Sequence, residues 1–306
     1  MASFHLAATH RHLAWDHTLA PAIEVAPGDE LVVEATDASG GQLRPGDGPD
    51  AVARLDFTMV NPCTGPIVVT GARPGDHLVV ELIDVEPGSW AWTANIPGFG
   101  LLCDEFPGAA MWTSTVSNGV VATPIGVDLP VRAMVGTIGV ARAEPGASPL
   151  LVPTDAGGNM DVAQLGAGAT LRLPVQVDGA MLSLGDLHAL QGDGEMCGTA
   201  AETPGTVRLR VSLAPSDSTS SRFSHSAVSI ADKWVATTGI GPDLFAAARD
   251  ATRRGIDLLS RSMQIDPVDA YLLSSLTGEL RISEIVDAPN WVVSLHLPAW
   301  LAGEGR

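Results

Sequence analysis

Cysteine is scarce in this chain. The 306 residues include three cysteines, Cys63, Cys103 and Cys197, and no two of them form a Cys-x-x-Cys pair. This spacing argues against a disulfide framework and against a zinc site built from thiolates. Isolated thiols are typical of a reducing compartment, and the N-terminal segment has no basic stretch followed by an apolar one. The sequence therefore predicts a cytoplasmic protein.

Basic residues are few as well. Lysine and arginine total 17 against 35 acidic residues, which gives a net charge of −18. A field of this sign repels phosphate backbones, so nucleic acid is not expected as a partner. It suits a neutral or cationic ligand or a metal ion, although it also simply favours solubility. No apolar run reaches the roughly 20 residues of a membrane helix, so no membrane partner is expected.

Several catalytic signatures are missing. The absence of Gly-x-Ser-x-Gly weakens a serine-hydrolase interpretation. There is no Gly-x-Gly-x-x-Gly and no phosphate-binding Walker loop, so a nucleotide-binding fold has no support. The zinc-protease motif His-Glu-x-x-His is absent too.

Glycine and proline, by contrast, are abundant, at 33 and 22 residues. A Pro-Gly-Asp turn followed by alternating apolar residues occupies residues 26–34 and returns at 73–81, with a looser copy at 166–175. Proline presets φ and glycine permits positive φ, so each copy has a mechanism for turning before a strand. The pattern predicts a mostly β fold of the α+β kind, with duplicated β-sandwich or barrel-like units.

The C-terminal third has a different pattern. A polar run at residues 216–221 is the best internal boundary, which divides a β-rich portion, 1–213, from a helical portion with closing strands, 214–306. One helix is expected after Asp243 as its cap, and a second from Asp266-Pro267 to Gly278. We expect all 306 residues to form a single unit.

The strongest candidate site is the acidic segment that contains Asp186, His188 and Glu195. Side chains two apart on a strand share a face, so Asp186 and His188 are expected to be neighbours. A glycine-rich turn then allows Glu195 to fold back towards them. One imidazole and two carboxylates suit a divalent ion such as zinc, or an acid/base cluster without metal. The alternative is that the aspartates only shape turns.

Two further places could carry chemistry. Asn159 and Asp161 follow two glycines and would offer oxygen atoms from one side, although an Asx-type turn explains them as well. Cys197 follows the acidic segment and could be a nucleophile. A small buried thiol is the simpler interpretation, because the sequence places no basic residue nearby to activate it.

Taken together, ordered motifs along nearly the whole chain resemble the acetamidase/formamidase family. The matching segments are Asn-Pro-Cys-Thr-Gly-Pro at 61–66, Pro-Gly-Asp at 74–76, Ile-Pro-Gly-Phe-Gly at 96–100, Gly-Gly-Asn-Met-Asp at 157–161 and the run at 185–202. The resemblance implies hydrolysis of short amides such as formamide or acetamide to ammonia and a carboxylate. It also implies a divalent metal, zinc or calcium, and a homo-oligomer.

Carried onto this chain, the resemblance implies a metal held by Asp186 and His188 with Asn159 and Asp161. Glu195 would then be the general base, and Gln191 would stabilise the oxyanion. Two alternatives stay open: a metal-free amidase that uses Cys197 as nucleophile, and a binding protein of the same fold without catalysis.

Overall fold

The computed structural model describes residues 2–214, 225–231 and 233–304. It is mostly β, with 41% strand and 13% helix, which confirms the predicted fold class. The strands are β1 Ser3–Leu6, β2 Arg11–His12, β3 Ala14–Trp15, β4 Ile23–Val25, β5 Glu30–Ala35, β6 Cys63–Val69, β7 His77–Pro87, β8 Trp90–Asn95, β9 Ala110–Ser117, β10 Val120–Ala122, β11 Asp128–Pro130, β12 Met134–Gly139, β13 Ser148–Pro149, β14 Gly157–Asn159, β15 Ala169–Pro174, β16 Leu182–His188, β17 Glu202–Thr203, β18 Gly205–Ala214, β19 Ala227–Ile230, β20 Trp234–Gly241, β21 Glu279–Glu284 and β22 Trp291–Pro298. The helices are α1 Pro49–Val52, α2 Leu244–Met263 and α3 Pro267–Thr277, with a 3-10 turn at Phe57–Met59.

One sheet has nine strands in the order β1-β5-β18-β7-β15-β19-β20-β22-β21. The two Pro-Gly-Asp segments lead into β5 and β7, and these strands flank β18 on either side. In β5 the buried residues are Leu31, Val33 and Ala35, and the residues between them are partly exposed. This alternation is what a half-buried strand requires, since successive side chains point to opposite faces.

The second sheet has eleven strands, and its main path runs β11-β10-β9-β8-β17-β16-β12-β14. Strand β16 lies in its middle and is buried at every position. The largest apolar cluster joins side chains of both sheets, for example Leu31 of the first with Ile67 and Leu184 of the second. The two sheets therefore pack face to face around one core, with β16 inside it.

Helices α2 and α3 lie against the nine-stranded sheet, where α2 packs on β20 and β22, whereas the short α1 lies near β9 of the other sheet. The expected cap of α2 is confirmed, because Asp243 Oδ1 accepts a hydrogen bond from the Ala246 amide at 2.8 Å. Helix α3 begins at Pro267 and ends before Gly278, as the sequence predicts. Among the described residues, none of the helices combines the length and the apolar character that crossing a bilayer requires.

The polar run at 216–221 lies outside the described residues, so the division at 213/214 stays a prediction. Strands from both sides of it, β18 and β19 among them, belong to the same nine-stranded sheet.

Candidate metal and catalytic centre

Strand β16 brings Asp186 and His188 together in the middle of the eleven-stranded sheet. His188 Nε2 lies 3.2 Å from Asp186 Oδ1, which agrees with the neighbourhood expected from their spacing. The room for Asp186 comes from Gly136 on the adjacent strand β12. A Cβ atom at position 136 would lie 2.5 Å from Asp161 Oδ1 and 2.6 Å from Asp186 Oδ2. A glycine is therefore required there to accommodate the two carboxylates.

Gln191 fixes the orientation of the His188 ring. Its Oε1 lies 2.8 Å from His188 Nδ1, while its Nε2 donates to the Asp161 carbonyl at 2.8 Å. An amide oxygen can only accept, so Nδ1 carries the hydrogen and Nε2 points at the carboxylates. A ligating histidine is commonly held in this way by its second nitrogen.

Two glutamates complete the surroundings of His188 Nε2. Glu202 Oε2 lies 3.1 Å away and Glu195 Oε1 4.0 Å away. Glu195 folds back as expected, after the positive-φ turn at Gly194. Glu202 arrives by a different route, because β17 pairs with β16 so that Glu202 is opposite His188. The sequence analysis did not include Glu202 in the cluster, although an acid among the small residues of 199–203 was a usable signal.

The C-terminal part of the chain contributes two more acids that the sequence did not indicate. Asp287 lines the cavity beside the cluster, and Glu284 lies nearby with 0% of its surface exposed. Asp287 accepts a hydrogen bond from the Asn159 amide nitrogen. Asn159 Oδ1 in turn accepts from Asn61 and from Thr137, so the polar groups of this amide are already engaged.

Several buried oxygen atoms of the cluster lack a hydrogen-bond partner in the described part of the chain. Both carboxylate oxygens of Asp161 and Oε1 of Glu284 are among them. Asp161 lies close to the ring, with Oδ1 4.0 Å from His188 Nδ1. A buried carboxylate without a partner is costly unless a cation neutralises it.

Burial and mutual repulsion shift the pKa values of the carboxylates in the cluster. Burial, followed by repulsion from Asp186, raises the pKa of Asp161 well above its usual range. Burial and the charge of Asp161 do the same to the pKa of Glu195, and burial raises the pKa of Glu202 to about 6.

Asp186 and His188 behave as an ion pair within this cluster. Burial opposes the charge of Asp186, but the neighbouring His188 holds its pKa below the usual value. Burial also opposes the charge of His188, yet Glu202 and Asp186 raise its pKa well above 6.5. The site thus contains more carboxyl groups than its one histidine can neutralise if all of them are ionised.

A divalent cation fits these residues. Two sets of three residues bring their donor atoms within 4.8 Å of one another inside the set. The first set is Asp161, Asp186 and His188, and the second is His188, Glu195 and Glu202. Imidazole nitrogen and carboxylate oxygen are ligands that zinc accepts. The unpartnered oxygens of Asp161 would be satisfied by such an ion.

The backbone of the site is unusual. Asn61, Asp161, Asp186 and Glu195 all have positive φ, between 45° and 56°. Residues with side chains rarely adopt this conformation, and it persists where the surrounding structure imposes it. Its concentration on four residues of the polar centre indicates that the surrounding structure enforces their placement.

A small cavity opens onto the cluster. Its volume is about 60 Å³, and its polar side includes Asn61, Asp186 and Glu195. The opposite side is apolar and is formed by Leu55, Phe57, Trp92, Ile96, Phe99 and Leu151. Since one water needs roughly 10–15 Å³, this space admits a molecule of a few heavy atoms.

Cys197 lies outside the lining of this cavity. Its thiol is 3.2 Å from the Thr199 carbonyl oxygen and belongs to a separate cavity that includes Trp112. Trp92 lines the small cavity, whereas Trp112 is 42% exposed.

Comparison with known proteins agrees with the resemblance found in the motifs. The sequence model of the acetamidase/formamidase family matches residues 3–148 and 143–301. The chain belongs to the acetamidase/formamidase family, which confirms the predicted family and the amidase class that it implies.

Individual relatives cover most of the chain. A formamidase from Methylophilus methylotrophus is 28% identical over 94% of this chain and 88% of its own length. An acetamidase from Mycolicibacterium smegmatis is 30% identical over 66% of this chain and 65% of its own. The crystal structure of a predicted acetamidase/formamidase from Thermoanaerobacter tengcongensis has a TM-score of 0.92 and 33% identity. It covers 99% of this chain and 97% of that one.

Proposed function

We propose that this protein is a metal-dependent amidase that hydrolyses short aliphatic amides to ammonia and a carboxylate. The observation that carries the proposal is the surroundings of His188 Nε2: three carboxylates lie within 4.0 Å of it. Beside them is a cavity that admits only a small molecule. The names of the relatives, formamidase and acetamidase, support the same class of substrate.

In this proposal the metal is held by Asp161, Asp186 and His188, with Glu202 as a further ligand. The nitrogen donor favours zinc over calcium, which prefers oxygen ligands alone. A bound divalent ion supplies Lewis-acid chemistry, which polarises an amide carbonyl and lowers the pKa of a bound water to about 7. We assign Asn159 a supporting role, because its amide already contacts Asn61, Thr137 and Asp287.

We assign Glu195 the proton transfers. Its side chain lines the cavity, and burial raises its pKa well above the usual range, so it can hold a proton between two steps. Glu195 takes a proton from the attacking water as the carbon–oxygen bond forms. It then delivers that proton to the amide nitrogen as the carbon–nitrogen bond breaks, which releases ammonia and the carboxylic acid.

Gln191 as an oxyanion donor stays a prediction. In the structure its Nε2 donates to the Asp161 carbonyl and lies 3.5 Å from the Ser283 carbonyl. We propose that Gln191 is a positioning residue, since it holds the tautomer and the orientation of His188.

The test is ammonia release from formamide, acetamide and propionamide by the metal-stripped and the metal-restored protein. We expect release only when metal is present, and no effect of a thiol-alkylating agent. Ammonia release that survives metal stripping but not thiol alkylation would indicate a metal-free mechanism with Cys197 as the nucleophile. Silence on every amide, with metal still bound, would favour the non-catalytic binding protein.

A further inference from the structure

The small cavity beside the cluster has one apolar side, which includes Trp92, Ile96 and Phe99. Trp92 is 3% exposed and Ile96 6%, and both belong to a packed apolar cluster with Leu43 and Val52. Formamide would leave this side unused, because it carries a single hydrogen where longer amides carry an alkyl chain. Each buried methylene instead strengthens binding roughly fourfold. This side of the cavity therefore suits the acyl chain of an aliphatic amide.

The inner part of the apolar side is held in place by hydrogen bonds. Trp92 Nε1 donates to Asp37 Oδ1 at 3.0 Å, and Asp37 is itself buried. The Ser39 amide donates to the same oxygen at 3.0 Å. Because the Trp92 ring cannot turn without breaking a buried hydrogen bond, the inner wall keeps a fixed shape.

Phe99 is fixed in a similar way at the edge of the cavity. A Cβ atom on Gly198 would lie 2.5 Å from its ring, so the ring lies directly on the backbone there. The Leu101 amide also donates to the Met196 carbonyl at 2.9 Å. The loop that carries Phe99 is therefore packed onto the segment that follows Glu195, and its ring has little room to move.

Phe57 closes the apolar side from the outside. It is 48% exposed, and its ring meets Phe99 edge to face, with the centroids 6.3 Å apart and the planes at 70°. Its backbone is held through the preceding residue, because Gln42 Oε1 accepts a hydrogen bond from the Asp56 amide at 2.9 Å. The side chain is only half-buried, so it can be shortened without opening the main core.

We propose that Phe57 is a specificity-determining residue, which together with Phe99 ends the acyl side of the cavity and sets the longest chain that it accepts. The volume of about 60 Å³ corresponds to about four to six water-sized groups. Propionamide and butyramide fall within this range, whereas hexanamide exceeds it and would meet the Phe57 ring. This role of Phe57 deepens the proposed function and rests on it.

The experiment is a comparison of kcat/KM for formamide, acetamide, propionamide, butyramide and hexanamide. The variants are Phe57→Ala and the milder Phe57→Leu. The matched control is Phe245→Ala, at a phenylalanine that is 73% exposed on α2. In the parent and the control, kcat/KM should rise roughly fourfold per methylene up to butyramide and then fall for hexanamide.

In Phe57→Ala, hexanamide should gain on the order of tenfold in kcat/KM relative to acetamide, because more of its chain is buried. Phe57→Leu should lie between this variant and the parent. A parent that prefers formamide to propionamide would overturn the proposal. A folded Phe57→Ala protein, as shown by circular dichroism, with the chain-length profile of the parent would overturn it too.

A parent that hydrolyses none of these amides would contradict the proposed function instead. Binding of the same amides, measured by calorimetry, then tests Phe57 separately. The affinity for hexanamide relative to acetamide should rise in Phe57→Ala and stay at the value of the parent in Phe245→Ala. An unchanged ratio in Phe57→Ala would exclude the role of Phe57.

Discussion

The two sheets each bury a histidine, and the two rings behave in opposite ways. His188 of the eleven-stranded sheet is 1% exposed and His296 of the nine-stranded sheet is 2% exposed. Glu202 and Asp186 outweigh burial and raise the pKa of His188 well above 6.5. Burial, assisted by the charge of Arg281, lowers the pKa of His296 to about 4. Burial alone therefore does not decide the charge of a residue; its charged neighbours do.

The same contrast holds for the sheets around these histidines. The nine-stranded sheet has the features of a stable apolar core, since alternating residues such as Leu31 and Val33 are buried in it. The centre of the eleven-stranded sheet instead contains buried carboxylate oxygens without a hydrogen-bond partner, such as those of Asp161, and residues with positive φ. Sites that sacrifice stability in this way are typically the ones that perform chemistry.

The largest expected effect concerns Glu195. Glu195→Gln keeps the shape of the side chain but removes its capacity to accept a proton, so kcat should fall by about 10² to 10⁴. Ammonia release is the measurement, and Glu105→Gln, at an exposed position, is the control. An intact thermal unfolding transition with full activity would remove Glu195 from the mechanism.

The opposite result is expected for the apolar sheet. Leu31 is 0% exposed, and Leu31→Ala should lower the free energy of unfolding by about 2–5 kcal/mol while kcat stays unchanged. Denaturant unfolding checks this, with Leu102→Ala, at a site that is 47% exposed, as a control that should change stability little. A loss of kcat in a folded Leu31→Ala protein would show that the two regions are not separable.

His296 predicts a pH dependence of stability. Its pKa is lower in the folded state than in the unfolded state, so the unfolded chain binds the proton first. Its stability contribution is complete above pH 6.5 and is lost as the pH falls to about 4, by about 3 kcal/mol in total. Arg281 disfavours the protonated ring, while Asp193 and Glu279 favour it.

Unfolding measured across this pH range should show the loss in the parent and a flatter profile in His296→Gln. His5→Gln, at an exposed position, is the control and should keep the profile of the parent. Identical profiles for His296→Gln and the parent would contradict the assignment.

The smallest expected effect is a change in stability on replacing Asp161, and it distinguishes the buried polar cluster from an ordinary apolar core. Asp161 has a raised pKa, so its ionisation costs stability as the pH rises, and Asn at this position removes that cost. Metal-stripped Asp161→Asn should be more stable than the metal-stripped parent at mildly alkaline pH, by about 1–3 kcal/mol. The gain should shrink at acidic pH, and a net loss at alkaline pH would argue that Asp161 is a structural residue.

Local rules account for the features that were predictable from the sequence. The Pro-Gly-Asp turns indicated the strands β5 and β7, the Asp243 cap indicated the start of α2, and the two-residue spacing placed Asp186 beside His188. Glu195 follows the same logic, because it is only seven residues from His188 and a glycine turn intervenes.

Residues that reach the centre through long-range pairing were not predictable in this way. Glu202 is opposite His188 only because β17 pairs with β16, and Asp287 approaches from nearly a hundred residues away. No periodicity within a segment reports which strands will become neighbours. The side-chain amides of Asn159 and Gln191 likewise form hydrogen bonds with Asp287 and with the Asp161 carbonyl, and the local sequence does not predict these partners.

The central claim is that the buried carboxylates around His188 hold a catalytic metal. The most direct measurement is calorimetric titration of zinc into metal-stripped protein, with ammonia release from acetamide followed in the same samples. We predict saturable binding that restores activity in proportion to occupancy, and His188→Ala should abolish both. Full activity in the stripped protein, or binding that is unchanged by His188→Ala, would contradict the claim.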